Sequence, residues 1–215
     1  MKKRIAFYGG TFDPVHRGHM DVALGVTAQF GLEEFVFVPA FHAPHKKRQK
    51  PTSAFHRFAM LCEASDAISG TSVSTIEVEQ PETPFTIETI GRLKAEYPHH
   101  RIFFVIGADS WAEITTWREW ERVLTEVDVI VVTRPGYDLG FEHVTAEIRD
   151  RIVDLRGSSR IESIPNKCSI FITDAAYTDI SATDIREMIR SGVNEWRKLV
   201  AAGVSEHIDK YSLYD

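Results

Sequence analysis

The sequence predicts an α/β protein built on a doubly wound, mostly parallel sheet. Three observations carry this expectation. Short apolar runs bounded by Gly or Pro alternate with segments of helical period. The run Ile102, Phe103, Phe104, Val105, Ile106 is apolar throughout, as in a central parallel strand. The opening residues read strand, helix, strand within the length of one βαβ unit, whose crossover is right-handed.

Ile5, Ala6, Phe7 and Tyr8 read as a buried strand ending in Gly9-Gly10. Residues 19–30 follow with helical period through Met20, Val22, Ala23, Leu24 and Val26, and Gly31 stops that helix. Phe35, Val36, Phe37 and Val38 form the next strand, closed by Pro39. A loop rich in Pro, His and Lys covers 40–51. Ser53 is placed to cap a helix carrying Phe55, Phe58, Leu61 and Cys62. Residues 73–78 alternate and predict a half-exposed strand, and 86–97 predict a helix ended by Pro98. The 102–106 strand ends in Gly107. Residues 117–124 predict a helix, and 127–132 a buried strand closed by Arg134-Pro135-Gly136. Within 138–157, Val144, Ile148, Ile152 and Leu155 fall at helical spacing among charges, which predicts an amphipathic surface helix. Residues 170–172 make a last strand, and helical pieces over 182–190, 195–201 and 204–210 close the chain. No repeat or linker interrupts this order. One domain over 1–215 is expected, with a C-terminal helical segment from about 181 to 215.

Composition narrows the function classes. Of 215 residues, 43% are hydrophobic, enough for a substantial core. A net charge of −6 disfavours a nucleic-acid partner, which would need a row of cations, but leaves room for a basic nucleotide pocket. Cys62 and Cys168 lie in no C-x-x-C motif and read as two reduced, partly buried thiols of a cytosolic protein. The apolar run after Lys2-Lys3-Arg4 is too short for a signal peptide, and no run approaches bilayer length. A cytoplasmic protein with no membrane partner is expected. A homo-oligomer stays open.

The first βα turn carries the chemistry: Gly9-Gly10-Thr11-Phe12-Asp13-Pro14-Val15-His16-Arg17-Gly18-His19. Ligands of open parallel sheets bind beyond the strands' C-terminal ends. Gly9 and Gly10 can let a phosphate approach backbone N–H groups closely. His16 and His19, three apart at the helix start, can point both imidazoles at one anion, with Gly18 leaving room for the ligand. The turn is neither a G-x-x-x-x-G-K-[ST] P-loop nor a G-x-G-x-x-G turn. A zinc site is disfavoured, because no third ligand stands at a usual spacing and no thiolate is near. A second block, Ile180-Ser181-Ala182-Thr183-Asp184-Ile185-Arg186, offers a capped helix start and a forked guanidinium.

G-G-T-F-D-P-x-H-x-G-H resembles the signature of the nucleotidyltransferase superfamily with the H-x-G-H motif, and the second block resembles that superfamily's I-S-S-T-x-I-R. Ala182 replaces the second Ser, which removes a hydroxyl. The likeness spans nearly the whole chain and is closest to the bacterial nicotinate-nucleotide adenylyltransferases. Pro44-His45-Lys46, Pro84-Phe85-Thr86-Ile87-Glu88-Thr89 and Ile106-Gly107-Ala108-Asp109-Ser110, with Trp117 beyond, are similar to blocks of that family. Phosphopantetheine adenylyltransferases and glycerol-phosphate cytidylyltransferases share the first motif but are shorter, and the former usually carry Thr at the His16 position.

The resemblance implies a Rossmann-like nucleotidyltransferase fold and transfer of AMP from ATP to nicotinate mononucleotide, with Mg²⁺ accompanying ATP and pyrophosphate leaving. It implies His16, His19, Lys46 and Arg186 as catalytic residues. ATP would meet Gly9, Gly10, Thr11, Phe12, Asp13, His16, Gly18, His19, Gly107, Asp109, Arg134, Ser181, Thr183 and Arg186. The nicotinate nucleotide would meet His45, Lys46, Thr86, Ile106 and Trp117. Trp117 can stack on a pyridine ring, the helix start at Thr86 can take a carboxylate, and Asp109 can hold a ribose hydroxyl or water around Mg²⁺. No metal bound by the protein alone is expected. The competing readings are nicotinamide mononucleotide as acceptor, and a nucleotide-binding regulator without catalysis.

Overall fold

The computed structural model describes residues 2–41, 51–80, 82–133, 139–176, 178 and 180–215. Among the described residues, seven strands form one sheet: β1 (Lys3–Gly10), β2 (Glu34–Pro39), β3 (Thr71–Val73), β4 (His100–Gly107), β5 (Asp128–Val132), β6 (Ile152–Asp154) and β7 (Ile170–Thr173). Their spatial order is β3-β2-β1-β4-β5-β7-β6, and every pair is parallel. The helices are α1 (Arg17–Phe30), α2 (Ala54–Ser65), α3 (Thr86–Glu96), α4 (Ala108–Ala112), α5 (Trp120–Glu126), α6 (Ala146–Arg149), α7 (Ala182–Arg190) and α8 (Ala202–Lys210), with 3₁₀ turns at Ile114–Thr116 and Asn194–Leu199.

Successive side chains of a strand point to opposite faces, and both faces here are covered. Ala6, Phe35, Phe37, Phe103, Val105, Ile130 and Phe171 build one core against α1, α2 and α8. Ile5, Phe7, Val36, Val38, Phe104, Ile106, Val129 and Val131 build the other against α3, α4 and α5. This is the doubly wound sheet that the sequence predicts. The chain moves outward from β1 to β2 and β3, then returns to place β4 on the other side of β1. The order therefore reverses between β1 and β4, the place where open α/β sheets have a ligand crevice at the C-terminal ends of the strands.

Four local expectations need correction. Strand β3 is Thr71–Val73 rather than 73–78. After it the Ser74 hydroxyl accepts the Ile76 N–H at 3.2 Å, and this local bond turns the chain out of the ladder. The stretch 138–157 holds only the short α6, capped by the Thr145 hydroxyl, and then β6, which pairs with β7. The open edge of β7 offers Ile152 a ladder that outweighs its helical spacing. Helix α5 starts at Trp120, while Trp117 ends the preceding 3₁₀ turn. Helix α2 buries Ala54, Arg57, Met60, Leu61, Ala64 and Ser65, and leaves Phe55 and Cys62 exposed. Ser53 stands at its cap position without a side-chain bond. Apolar spacing points to a different face from the buried one, because the central buried residue is an arginine.

Glycine is required where α1 meets the loop after β7. A Cβ on Gly25 would lie 2.1 Å from the Ala175 carbonyl oxygen. This approach brings the chain leading to α7 against α1, and the Thr178 hydroxyl donates to the Asp21 carboxylate across the same seam.

Candidate active site

The crevice between β1 and β4 is edged by the turn from Thr11 to His16. His16, only 7% exposed, is the N-cap of α1 in extended conformation (φ −145°, ψ 172°). Its carbonyl accepts the His19 N–H at 2.9 Å, and its own N–H donates to His19 Nδ1 at 3.2 Å. The two imidazoles stack with centroids 3.7 Å apart and planes at 29°. A Cβ on Gly18 would lie 3.2 Å from the His16 ring and 3.4 Å from the Thr178 carbonyl, so glycine makes room for that ring and for the neighbouring loop. The His19 N–H is taken up by this cap, and the helix carries no acidic residue in its first turn. An anion is favoured at such an end.

The paired glycines answer to packing. A Cβ on Gly10 would meet the Phe12 ring at 2.8–3.0 Å, and one on Gly9 would meet Phe104 at 3.1 Å. Phe12 adopts a left-handed backbone (φ 50°) and is 2% exposed, edge-on to His19 with centroids 4.9 Å apart. Its side chain belongs to the core, so any ligand contact at Phe12 is left to its main chain. The same holds for Ile106, whose side chain is 3% exposed in the opposite core.

The second motif reaches the first. Ser181 caps α7 by accepting the Thr183 N–H at 3.1 Å. Arg186 donates from Nη1 to the Asp13 carbonyl at 2.6 Å and from Nη2 to the Thr183 hydroxyl at 3.2 Å. At the end of β4, Gly107 is the N-cap of α4. A Cβ there would lie 2.6 Å from Asp109 Oδ1, which accepts the Ser110 N–H at 2.9 Å. Asp109 is exposed on that side. Thr86 opens α3, behind the Phe85 N–H that donates to Glu88 at 2.9 Å. Arg118, next to Trp117, lies 4.7 Å over the Phe85 ring and 3.7 Å from Glu88, so the Thr86 and Trp117 segments meet. His45, Lys46 and Arg134 lie outside the described residues.

Sequence reading missed the residues that hold these loops. Arg57 is fully buried and donates to the carbonyls of Thr52 (2.8 Å), Thr11 (2.6 Å), Ala40 (2.7 Å) and Phe41 (3.1 Å). It ties the loop after β1 to the loop after β2. Burial pulls its guanidinium below the usual arginine range, and Asp13 opposes that pull. The one signal was a lone arginine inside the apolar pattern of α2. A separate cleft of about 450 Å³ lies at the N-terminal edge of the sheet. Its charged side chains include two internal pairs, Lys94 with Glu126 and Arg101 with Asp128. The described residues contain no group of three or more His, Cys, Asp or Glu that could hold a metal ion, and no helix long and apolar enough to cross a membrane.

A parallel sheet reversing at β1 and β4, with stacked histidines at the start of α1, defines a protein that handles nucleotide phosphates. Residues 7–188 match the cytidylyltransferase-like family model. The probable nicotinate-nucleotide adenylyltransferase of Symbiobacterium thermophilum is 37% identical over 212 residues, covering 98% of this chain and 95% of that protein. Its counterpart in Desulfitobacterium hafniense is 35% identical, covering 99% and 96%. The Plasmodium falciparum nicotinic acid mononucleotide adenylyltransferase, solved in complex with NaAD, superimposes with a TM-score of 0.73 at 20% identity, covering 99% and 98%. The chain belongs to the cytidylyltransferase-like family of nucleotidyltransferases and, within it, to the nicotinate-nucleotide adenylyltransferases.

Proposed function

We propose that this chain transfers AMP from ATP to nicotinate mononucleotide, giving nicotinate adenine dinucleotide and pyrophosphate in the synthesis of NAD. The observation that carries the reading is the stacked His16–His19 pair at the switch point of the sheet, in a chain of this family. The acceptor's 5′-phosphate attacks the α-phosphorus of ATP in line, the new P–O bond forms, and the bond to pyrophosphate breaks. The attacking phosphate is already ionised near neutral pH, so the protein supplies position and charge rather than a base. His16 and His19 take the α-phosphate and its developing charge, Arg186 and Lys46 assist at the phosphates, and Ser181 and Thr183 set the start of α7. Gly9, Gly10, Thr11, Phe12 and Asp13 shape the turn, with Gly18 at its end. Gly107, Asp109 and Arg134 border the nucleoside of ATP. Thr86, Trp117, Ile106 and His45 border the nicotinate nucleotide, with its carboxylate assigned to the α3 N-terminus beside the Glu88 that already takes the Phe85 N–H.

Mg²⁺ fits as part of the substrate, screening the charges of ATP; the exposed carboxylate of Asp109 suits its water shell. The whole chain, 1–215, would work as one domain in the cytoplasm, with the segment from 181 closing the phosphate side. Pyrophosphate release with Mg-ATP and either nicotinate or nicotinamide mononucleotide tests this. A strong preference for the nicotinate form is expected. Preference for the amide would overturn the carboxylate assignment, and ATP binding without turnover on either would mean a regulator.

A further inference from the structure

The turn bearing His16 is also held by the far end of the chain. Asp13, three residues before His16 and 9% exposed, joins four segments. Its Oδ2 accepts the Thr52 N–H at 3.2 Å, its Oδ1 accepts the Tyr214 O–H at 2.7 Å, and its carbonyl takes Arg186. Tyr214 is 201 residues away in sequence. Chain termini ordinarily fray. Here Ser212 (φ 47°) and Tyr214 (φ 75°) take left-handed backbones that non-glycine residues keep only where their surroundings hold them. The Leu213 N–H returns to the Ile208 carbonyl at 3.0 Å, and Leu213 and Tyr214 pack on the core beneath α1. The tail is therefore a hook rather than a loose end. Burial, and then the Asp13 charge, push the Tyr214 phenol well above the ordinary tyrosine range, in keeping with the bond that its hydroxyl donates to Asp13.

We propose that Tyr214 is a positioning residue for the reaction: its hydroxyl fastens the Asp13 carboxylate to the C-terminal tail and so fixes the turn that presents the His16–His19 pair. The inference rests on the adenylyl-transfer reading above. It explains why a carboxylate is tolerated so near a site for polyphosphate: the charge is tied to a hydroxyl and a backbone N–H.

The test compares the full chain with Tyr214→Phe, which removes one oxygen and keeps the ring. Tyr211→Phe, an exposed tyrosine of the same tail, is the control. Three quantities are read: steady-state turnover with Mg-ATP and nicotinate mononucleotide, thermal unfolding, and amide hydrogen exchange over residues 11–16. For Tyr214→Phe, kcat should fall about tenfold with KM for ATP within about twofold, since a misplaced turn fails mainly in the transition state. Exchange over 11–16 should quicken, the melting point should fall by no more than the few degrees that one lost hydrogen bond costs, and Tyr211→Phe should match the parent. The proposal is overturned if kcat per folded molecule and exchange both match the parent. It is equally overturned if Tyr211→Phe reproduces the effect. Should the unaltered chain turn over neither acceptor, the functional reading fails by itself. Exchange then decides the inference: quickening supports the hook, and no change removes it.

Discussion

The His16 backbone N–H donates to His19 Nδ1 at 3.2 Å while the two rings stack 3.7 Å apart. A ring nitrogen that accepts carries no proton, so the neutral His19 bears its hydrogen on Nε2. The cap of α1 thereby selects the tautomer of the His19 ring. His19→Ala should keep the fold and lose about 10²–10³ in turnover, the usual cost of one donor to a developing charge. Steady-state kinetics beside a melting curve checks this, and near-normal turnover would remove His19 from the chemistry.

Gly18 makes a sharper test, because it touches no reacting atom by itself. An added methyl would crowd the His16 ring at 3.2 Å. Gly18→Ala should shift that ring by a few tenths of an ångström and cost about tenfold in kcat, in keeping with the steep dependence of rate on alignment. A variant with unchanged kcat would show that the ring gives way without consequence.

Gly91 provides the contrast. It lies inside α3 on an exposed face, and a Cβ there would meet nothing within 4 Å. Gly91→Ala should stabilise the chain by roughly 0.5–1 kcal/mol through the unfolded state and the helix propensity. Calorimetry should show a melting point raised by about 1–4 °C with unaltered kinetics. A lower melting point would contradict the open space around this position.

Removing the buried Arg57 guanidinium leaves four partly buried carbonyls without their donor. Arg57→Met should cost about 3 kcal/mol or more, a fall of roughly 10 °C in melting point for a chain of this size. Activity lost ahead of global unfolding is also expected, because Arg57 holds the Thr11 end of the turn that leads to His16 against the loop after β2. A melting point within about 2 °C of the parent would refute this account of the buried cation.

Glu77 gives a pH signature. Burial raises its carboxyl above the ordinary 4.5, against the opposing bond from the Thr89 hydroxyl at 2.7 Å. The folded chain thus holds this proton more tightly than the unfolded chain. Its stabilising effect is complete below the ordinary value and is lost as pH climbs through the raised one. Glu77→Gln keeps an acceptor for Thr89 without the charge. Its melting point relative to the parent should rise from acid to neutral pH. A difference that stays constant across that range would show that burial does not govern Glu77.

Residues that contact their own sequence neighbours were readable from the chain alone. Ile5 to Gly10, Phe35 to Pro39 and Ile102 to Gly107 announce parallel strands because apolar runs closed by Gly or Pro have few other uses. Gly31 ends α1 with φ 59° because the left-handed turn there favours glycine. The two histidines and the Ser181 cap act within one helical turn, so their spacing states their geometry. Family membership followed from the same local blocks.

Only the tertiary structure could decide what depends on distant partners. Ile152 is a strand residue because the edge of β7 is free, although its spacing suits a helix. Gly9 and Gly10 yield space to Phe104 and Phe12, a fact absent from their neighbours in sequence. Arg57 is buried because four carbonyls from two loops converge on it, and Asp13 is anchored by a tyrosine near the other end of the chain. Local sequence determines the elements and the turn from Gly9 to His19, because short-range sterics and hydrogen bonds create them. Folding determines which loops meet and which charge is buried, because those energies exist only between groups that the chain has brought together.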